Sequence, residues 1–259
     1  MHRRMTGLLA GVLSLSLCLS GCGLFLDTAI DSAVDDAVEA QVEAHVAVSL
    51  TGPMYRAYAW SLMAAYFWAG GYWLAWHPYQ PGEWTKWKHE IKEAEAKQGA
   101  PDQPLFVEKA FLRRNDDGSE WWRIKAFQQT PEDTAIFEAL FAADRTHVVR
   151  MLGKIGTNPV QEITFEEGEN AFPAPSAFED SALKEHTVGT VELASGTVTW
   201  SANHVQFKAA DASGHADFFF SDKVPGGLVK YQFSSNQGDS YTILLDGHGS
   251  GAASELGAF

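Results

Sequence analysis

Residues 105–127 read LFVEKAFLRRNDDGSEWWRIKAF, two apolar and aromatic runs separated by Asn115-Asp116-Asp117-Gly118. Asp-Gly between such runs is a hairpin signal, because these residues accept the positive φ of turns that match the twist of paired strands. The pattern predicts strands over 105–114 and 119–127, and it recurs in both directions. Upstream, Glu83–Lys88 (EWTKWK) follows the turn Tyr79-Gln80-Pro81-Gly82 and reads as a first strand. Lys88–Lys97 is charged and reads as helix or loop, and Gly99–Pro104 is a breaker cluster. Downstream, strands are expected at 147–154, 160–166, 187–193, 197–208, 216–221, 228–234 and 240–245. Gly156-Thr157-Asn158-Pro159, Ala194-Ser195-Gly196, Val224-Pro225-Gly226-Gly227 and Asn236-Gln237-Gly238-Asp239 supply turns between them. Thr130-Pro131-Glu132-Asp133 is a good helix start, yet Ile136–Phe141 fits a strand equally well. Alternation at Val229, Tyr231, Phe233 and at Tyr241, Ile243, Leu245 implies an antiparallel sheet with one packed face.

The chain of 259 residues is long enough to bury a core as one domain with appendages. Its net charge of −14 speaks against nucleic-acid binding, which depends on clustered Lys and Arg to neutralise phosphates. Two cysteines are too few for a disulfide scaffold or a four-thiolate zinc site.

The N-terminus carries an address. His2-Arg3-Arg4 precedes an uncharged stretch, Thr6–Leu19, which has the layout of a secretory signal and is short for a membrane span. Leu19-Ser20-Gly21-Cys22 resembles the lipobox of bacterial lipoproteins at all four positions. The resemblance implies cleavage before Cys22, a diacylglycerol thioether on its sulfur and an acylated (palmitate-type) amine. Several chains anchor stably where one is marginal. Cys18 then leaves with the signal 1–21, no free thiol remains, and the net charge moves from −14 to −16 with the loss of Arg3 and Arg4. Gly23, where an Asp would imply retention at the inner membrane, implies passage to the outer membrane with the domain facing the periplasm.

Residues 22–80 are expected to hold the anchor and two helical segments. From residue 27 the chain reads DTAIDSAVDDAVEAQVEAHV, with acids and aliphatic residues each recurring every four positions. At 100° per residue such stripes wind slowly round a helix, read either as a spacer or partner-binding helix or as a solvated helix packed on its own domain. Residues 54–79 are dense in Trp and Tyr, and Ala57–Trp76 carries no charge. The Gly70-Gly71 pair and aromatics spread along the whole length argue against a span. A buried or membrane-surface amphipathic segment is expected, with Trp60, Trp68, Trp73, Trp76, Trp84 and Trp87 as candidate ligand-binding residues.

The pieces Pro81-Gly82-Glu83-Trp84, Asp117-Gly118-Ser119-Glu120-Trp121-Trp122, Val191–Val205 and Val224–Tyr231 resemble uncharacterised periplasmic lipoproteins. Their layout is similar to the curved half-barrel sheet of the outer-membrane lipoprotein carriers. The likeness covers 81–259 and implies a half-barrel around an apolar groove, although no carrier residue matches position by position. The expected class is therefore α+β, with N-terminal helices followed by a curved antiparallel sheet domain.

Candidate chemistry is sparse. Gly247-His248-Gly249-Ser250-Gly251-Ala252 superficially fits a dinucleotide fingerprint, but seven residues beyond it leave no room for the helix and second strand of that motif, so a flexible end is expected. His204, His215 and His248 with Asp217 and Asp246 would suit a metal only if they converged, and nothing in their spacing requires this. Glu166, Glu167, Glu169, Glu179 and Asp180 read as a solvated acidic loop. The expectation is a non-enzymatic envelope lipoprotein without metal, cofactor or catalytic residue, binding lipid or another apolar ligand. The alternatives are an assembly lipoprotein holding a protein partner and, third, a metal-dependent hydrolase.

Overall fold

The structure, a computed structural model, describes residues 59, 78–92, 105–128, 130–165, 184–195, 198–208, 214–236, 238 and 240–259. Their elements are β1 (Trp84–Lys92), β2 (Leu105–Arg114), β3 (Glu120–Phe127), a 3₁₀ turn (Pro131–Asp133), β4 (Ala135–Phe141), β5 (Val148–Ile155), β6 (Gln161–Ile163), β7 (Thr187–Ser195), β8 (Val198–Lys208), β9 (Gly214–Phe220), β10 (Leu228–Ser235) and β11 (Ser240–Gly249).

The α+β class is corrected: the described residues form one open, antiparallel sheet of eleven strands, with α-helical backbone only at Ala59 and Lys184–Glu185. The reason lies in the turns and the period of two, which run through almost all of this region. Apart from Ala59 and residues 78–80, the stretch 22–80 in which helices are expected lies outside the described residues, as does the acidic loop from Glu166 to Asp180. Two local expectations also change. The charged stretch after Lys88 continues β1 to Lys92, because β11 pairs with it throughout. The ambiguous 130–141 segment resolves into a single 3₁₀ turn and a strand, since Ala135–Phe141 fits between β3 and β5.

Turn chemistry sets the hairpins. Asp117 accepts hydrogen bonds from the Ser119 amide (2.9 Å) and hydroxyl (2.6 Å), and Asp144 does the same for Thr146 (3.0 and 2.8 Å). Between β9 and β10, Gly226 and Gly227 take φ of +74° and +81°, a consecutive pair that side chains would strain.

The order β6-β5-β4-β3-β2-β1-β11-β10-β9-β8-β7 consists of two meanders joined by β1 against β11. The second meander curls strongly. Four strand spacings would hold β7 and β11 about 19 Å apart if flat, yet the Ser195 hydroxyl donates to the Leu245 carbonyl and the Trp200 and His248 rings lie 5.5 Å apart.

Alternation divides the side chains between two faces. The inner face collects Trp87, Phe111, Trp122, Phe137, Phe141, Phe218 and Tyr231 with Ala59 in one cluster. The outer face of β2–β5 holds a smaller cluster, Ala110, Leu112, Trp121, Ile136 and Leu152, closed by Leu256 and Ala258 of the C-terminal residues. The expected flexible end is thus corrected: Gly247 to Gly249 belong to β11, and residues beyond them lie against the outer face. Glu138, fully buried, accepts from the Ser254 hydroxyl (2.6 Å), the Glu255 amide (2.6 Å) and the Leu256 amide (3.3 Å). Arg123 donates to the Ala253 carbonyl and pairs with Glu108 (2.6 Å) and Glu255 (3.0 Å).

Replacing Glu138 by Ala leaves buried donors of the tail without their acceptor, so Glu138→Ala is expected to cost about 2–4 kcal/mol in chemical denaturation. It should also open residues 250–259 to carboxypeptidase, whereas an intact tail in the variant would refute this anchoring role.

Candidate binding face

Among the described residues the inner face is apolar except for a polar group on β1, β2 and the approach to β1 and for Glu120 at one end. Thr85, His89 and Lys109 are buried there, at inward phases of their strands, and Tyr79 shares a short hydrogen bond with Thr85. Burial pushes the Tyr79 phenol pKa upward. Lys109 sits between Val107 and Phe111, with its ammonium 4.9 Å from the Tyr79 ring and 5.3 Å from the Trp122 ring. Both rings favour the charged form, but burial, aided by the charge of Arg145, lowers the lysine pKa well below its ordinary value. His89 is likewise lowered by burial, to about 3, so its imidazole is neutral near pH 7.

At one end of this face the hairpins β2–β3 and β4–β5 bring two arginines to one carboxylate. Glu120 Oε1 accepts from Arg114 (2.7 Å) and Arg145 (3.0 Å), and Oε2 accepts from the Trp122 indole (3.1 Å). Burial works to raise the Glu120 pKa, yet the bonds and charge of Arg145 and the bond from Arg114 outweigh it and hold it below the usual carboxylate range. Arg145 reaches this position with φ of 60°, a backbone conformation an arginine rarely adopts.

Of the sequence candidates, Trp60, Trp68, Trp73 and Trp76 lie outside the described residues, as do Cys22 and the lipobox. Trp87 lies on the inner face, fully buried, its indole donating to the Leu228 carbonyl at 3.3 Å. Trp84 lies on the opposite face, packed over β11 so closely that a Cβ at Gly249 would stand 3.0 Å from its ring. The structure does not bring these two together. Lys109, His89 and the Glu120 cluster were missed from sequence, although a lysine in phase with Val107 and Phe111 signals an inward charge.

The histidines converge in part. Asp217 Oδ1 lies 2.6 Å from His204 Nε2 and accepts from Gln206 at 2.8 Å, while Oδ2 lies 3.2 Å from His215 Nε2. His248 instead meets Trp200, and Asp246 pairs with Lys86 at 2.6 Å. Among the described residues no group of three or more His, Cys, Asp or Glu is arranged to hold a metal ion. Both Asp217 oxygens are already engaged. A cleft of about 430 Å³ lies elsewhere, beside β2–β5, lined by Glu108, Lys125, Pro131, Ile136 and Lys154.

No family model matches the chain, and no curated protein does. A solved structure that matches is MucB in complex with MucA(peri), at 13% identity and a TM-score of 0.37, over 70% of this chain. The chain spans about half of that one, 54%.

His89 gives this face a pH signature. The unfolded imidazole titrates near pH 6.5 and the buried one near 3, so its contribution to stability is complete above 6.5 and lost as pH falls toward 3. Between pH 6.5 and 5 the wild type should lose up to about 1.4 kcal/mol per unit through this group. Urea unfolding of His89→Leu should show a correspondingly shallower slope, and parallel slopes for the two proteins would refute it.

Proposed function

We propose that the protein is an outer-membrane lipoprotein, anchored by acylated Cys22, whose sheet domain is a non-enzymatic binding module for an apolar ligand carrying acyl chains. The observation that supports this reading is the inner face: aromatic side chains of both meanders form one continuous apolar surface within a curved, open sheet. Trp87 lies on this surface, and a ligand received there takes the place now held by Ala59 and Tyr79. The domain assignment that goes with it is a signal at 1–21, an anchor and linking segment at 22–80, and the sheet domain at 81–259.

Full-length protein extracted in mild detergent should carry acyl lipid detectable by native mass spectrometry. Added long-chain fatty acid should raise the stability of delipidated protein by about 2.7 kcal/mol at a hundred times its Kd. Lipid-free protein whose melting ignores fatty acid would overturn the ligand. Separately, Cys22→Ser should abolish palmitate labelling and release the chain from the membrane fraction, and persistent labelling would overturn the anchor.

One observation favours a second reading, an assembly lipoprotein that holds a protein partner. The inner face is already well filled, with Trp87, Val107, Phe111 and Phe137 all essentially without solvent contact. In-cell crosslinking that recovers one stoichiometric envelope protein, lost on deletion of 27–48, would favour it.

A further inference from the structure

The residues after β11 do more than cover the outer face. Before they reach Glu138 they cross the turn 80–83, through which the chain enters β1, and touch it closely. The Ala252 amide donates to the Gly82 carbonyl at 2.9 Å, and a Cβ at Gly82 would stand 3.5 Å from the Gly251 nitrogen. The other support of this turn is β2, where the Gly82 amide donates to the Phe111 carbonyl (2.6 Å) and the Phe111 amide to the Glu83 carbonyl (2.9 Å). Within the turn, the Glu83 amide donates to the Gln80 carbonyl (2.9 Å) and the Glu83 carboxylate accepts from the Gln80 amide (2.8 Å). The turn is therefore held from two sides, and one of them is the tail.

Tyr79 immediately precedes this turn. Its ring lies on the inner face, edge-on to Trp122 with centroids 5.2 Å apart and 4.9 Å from the Lys109 ammonium, and its hydroxyl is bonded to Thr85. Lys109 and Thr85 are fully buried. The cover of the outer face and the cover of Lys109 thus meet in the same four residues. We infer that residues 250–259 are a latch: seated on Glu138 and Arg123, they hold the turn against β2 and so keep Tyr79 closed over Lys109, which places access to the inner face under control of the outer one. Such coupling is reciprocal, so moving Tyr79 loosens the tail as much as freeing the tail loosens Tyr79. The inference stands on this geometry and is independent of the proposed ligand.

The test uses full-length protein in mild detergent, treated with a small amine-acylating ester and read by peptide mass spectrometry. Two variants loosen the latch: deletion of 250–259, and Ala252→Pro, which removes the N–H donated to Gly82. In each, Lys109 should react about ten times faster than in the wild type, within the usual range of coupling between linked sites, while exposed Lys223 keeps its wild-type rate. Hydrogen exchange should rise in 79–85 but not in β9 and β10, which separates release of the turn from loosening of the whole sheet. Conversely, Tyr79→Ala should speed removal of the tail by carboxypeptidase. A wild-type Lys109 rate in either folded tail variant overturns the latch, as does a rate that rises only together with exchange in β9 and β10, or a tail that stays as resistant in Tyr79→Ala as in the wild type.

Discussion

The ladder between β1 and β11 is the contact on which the rest of the sheet depends. It joins Trp84–Lys92 to Ser240–Gly249, and without it the two meanders would be separate sheets, each with an additional unpaired edge. It also carries the centre of the core, since Trp87 and Leu245 meet across it at the inner face. The bulge between Lys86 and Trp87 adds local twist where the two halves join. A contact between segments so distant in sequence closes a large loop, whose entropic cost the pairing of the two strands has to offset.

The outer face depends on a different kind of interaction. Strands β2–β5 carry enough apolar surface outward that residues 250–259 must cover it, and Glu138 and Arg123 hold that cover through the backbone of the tail rather than through side-chain packing alone. A buried carboxylate is costly unless its oxygens are satisfied, and here three donors from the tail satisfy it. The inner face follows the opposite economy, with Lys109 and His89 kept in apolar surroundings that favour their neutral forms. Charge is therefore used on the outside to hold chain in place, whereas on the inside it is confined to Glu120 and its arginines at one end.

Much of the sheet was legible from local chemistry. The hairpin at Asn115-Asp116-Asp117-Gly118, the glycine pair after Val224-Pro225 and the alternation in β10 and β11 located strands to within a few residues. The ambiguity at 130–141 was real, because Thr130-Pro131-Glu132 opens a helical turn and only the neighbours β3 and β5 draw the following residues into a strand. The opposite placement of Trp84 and Trp87 was legible too, since an odd spacing of three puts two strand residues on different faces. His204, Asp217 and His215 came together because β8 and β9 pair in one register; His248, on β11, was drawn to Trp200 by the curl of the second meander.

The sequence by itself located most of the strands and the turns between them, because each depends on residues within a few positions of one another. Tertiary structure alone decided that β1 seals against β11, that the last ten residues cover Glu138, and that Lys109 is enclosed by Tyr79 and Trp122. Those outcomes rest on pairing and burial between segments far apart in the chain, and no local periodicity carries that information.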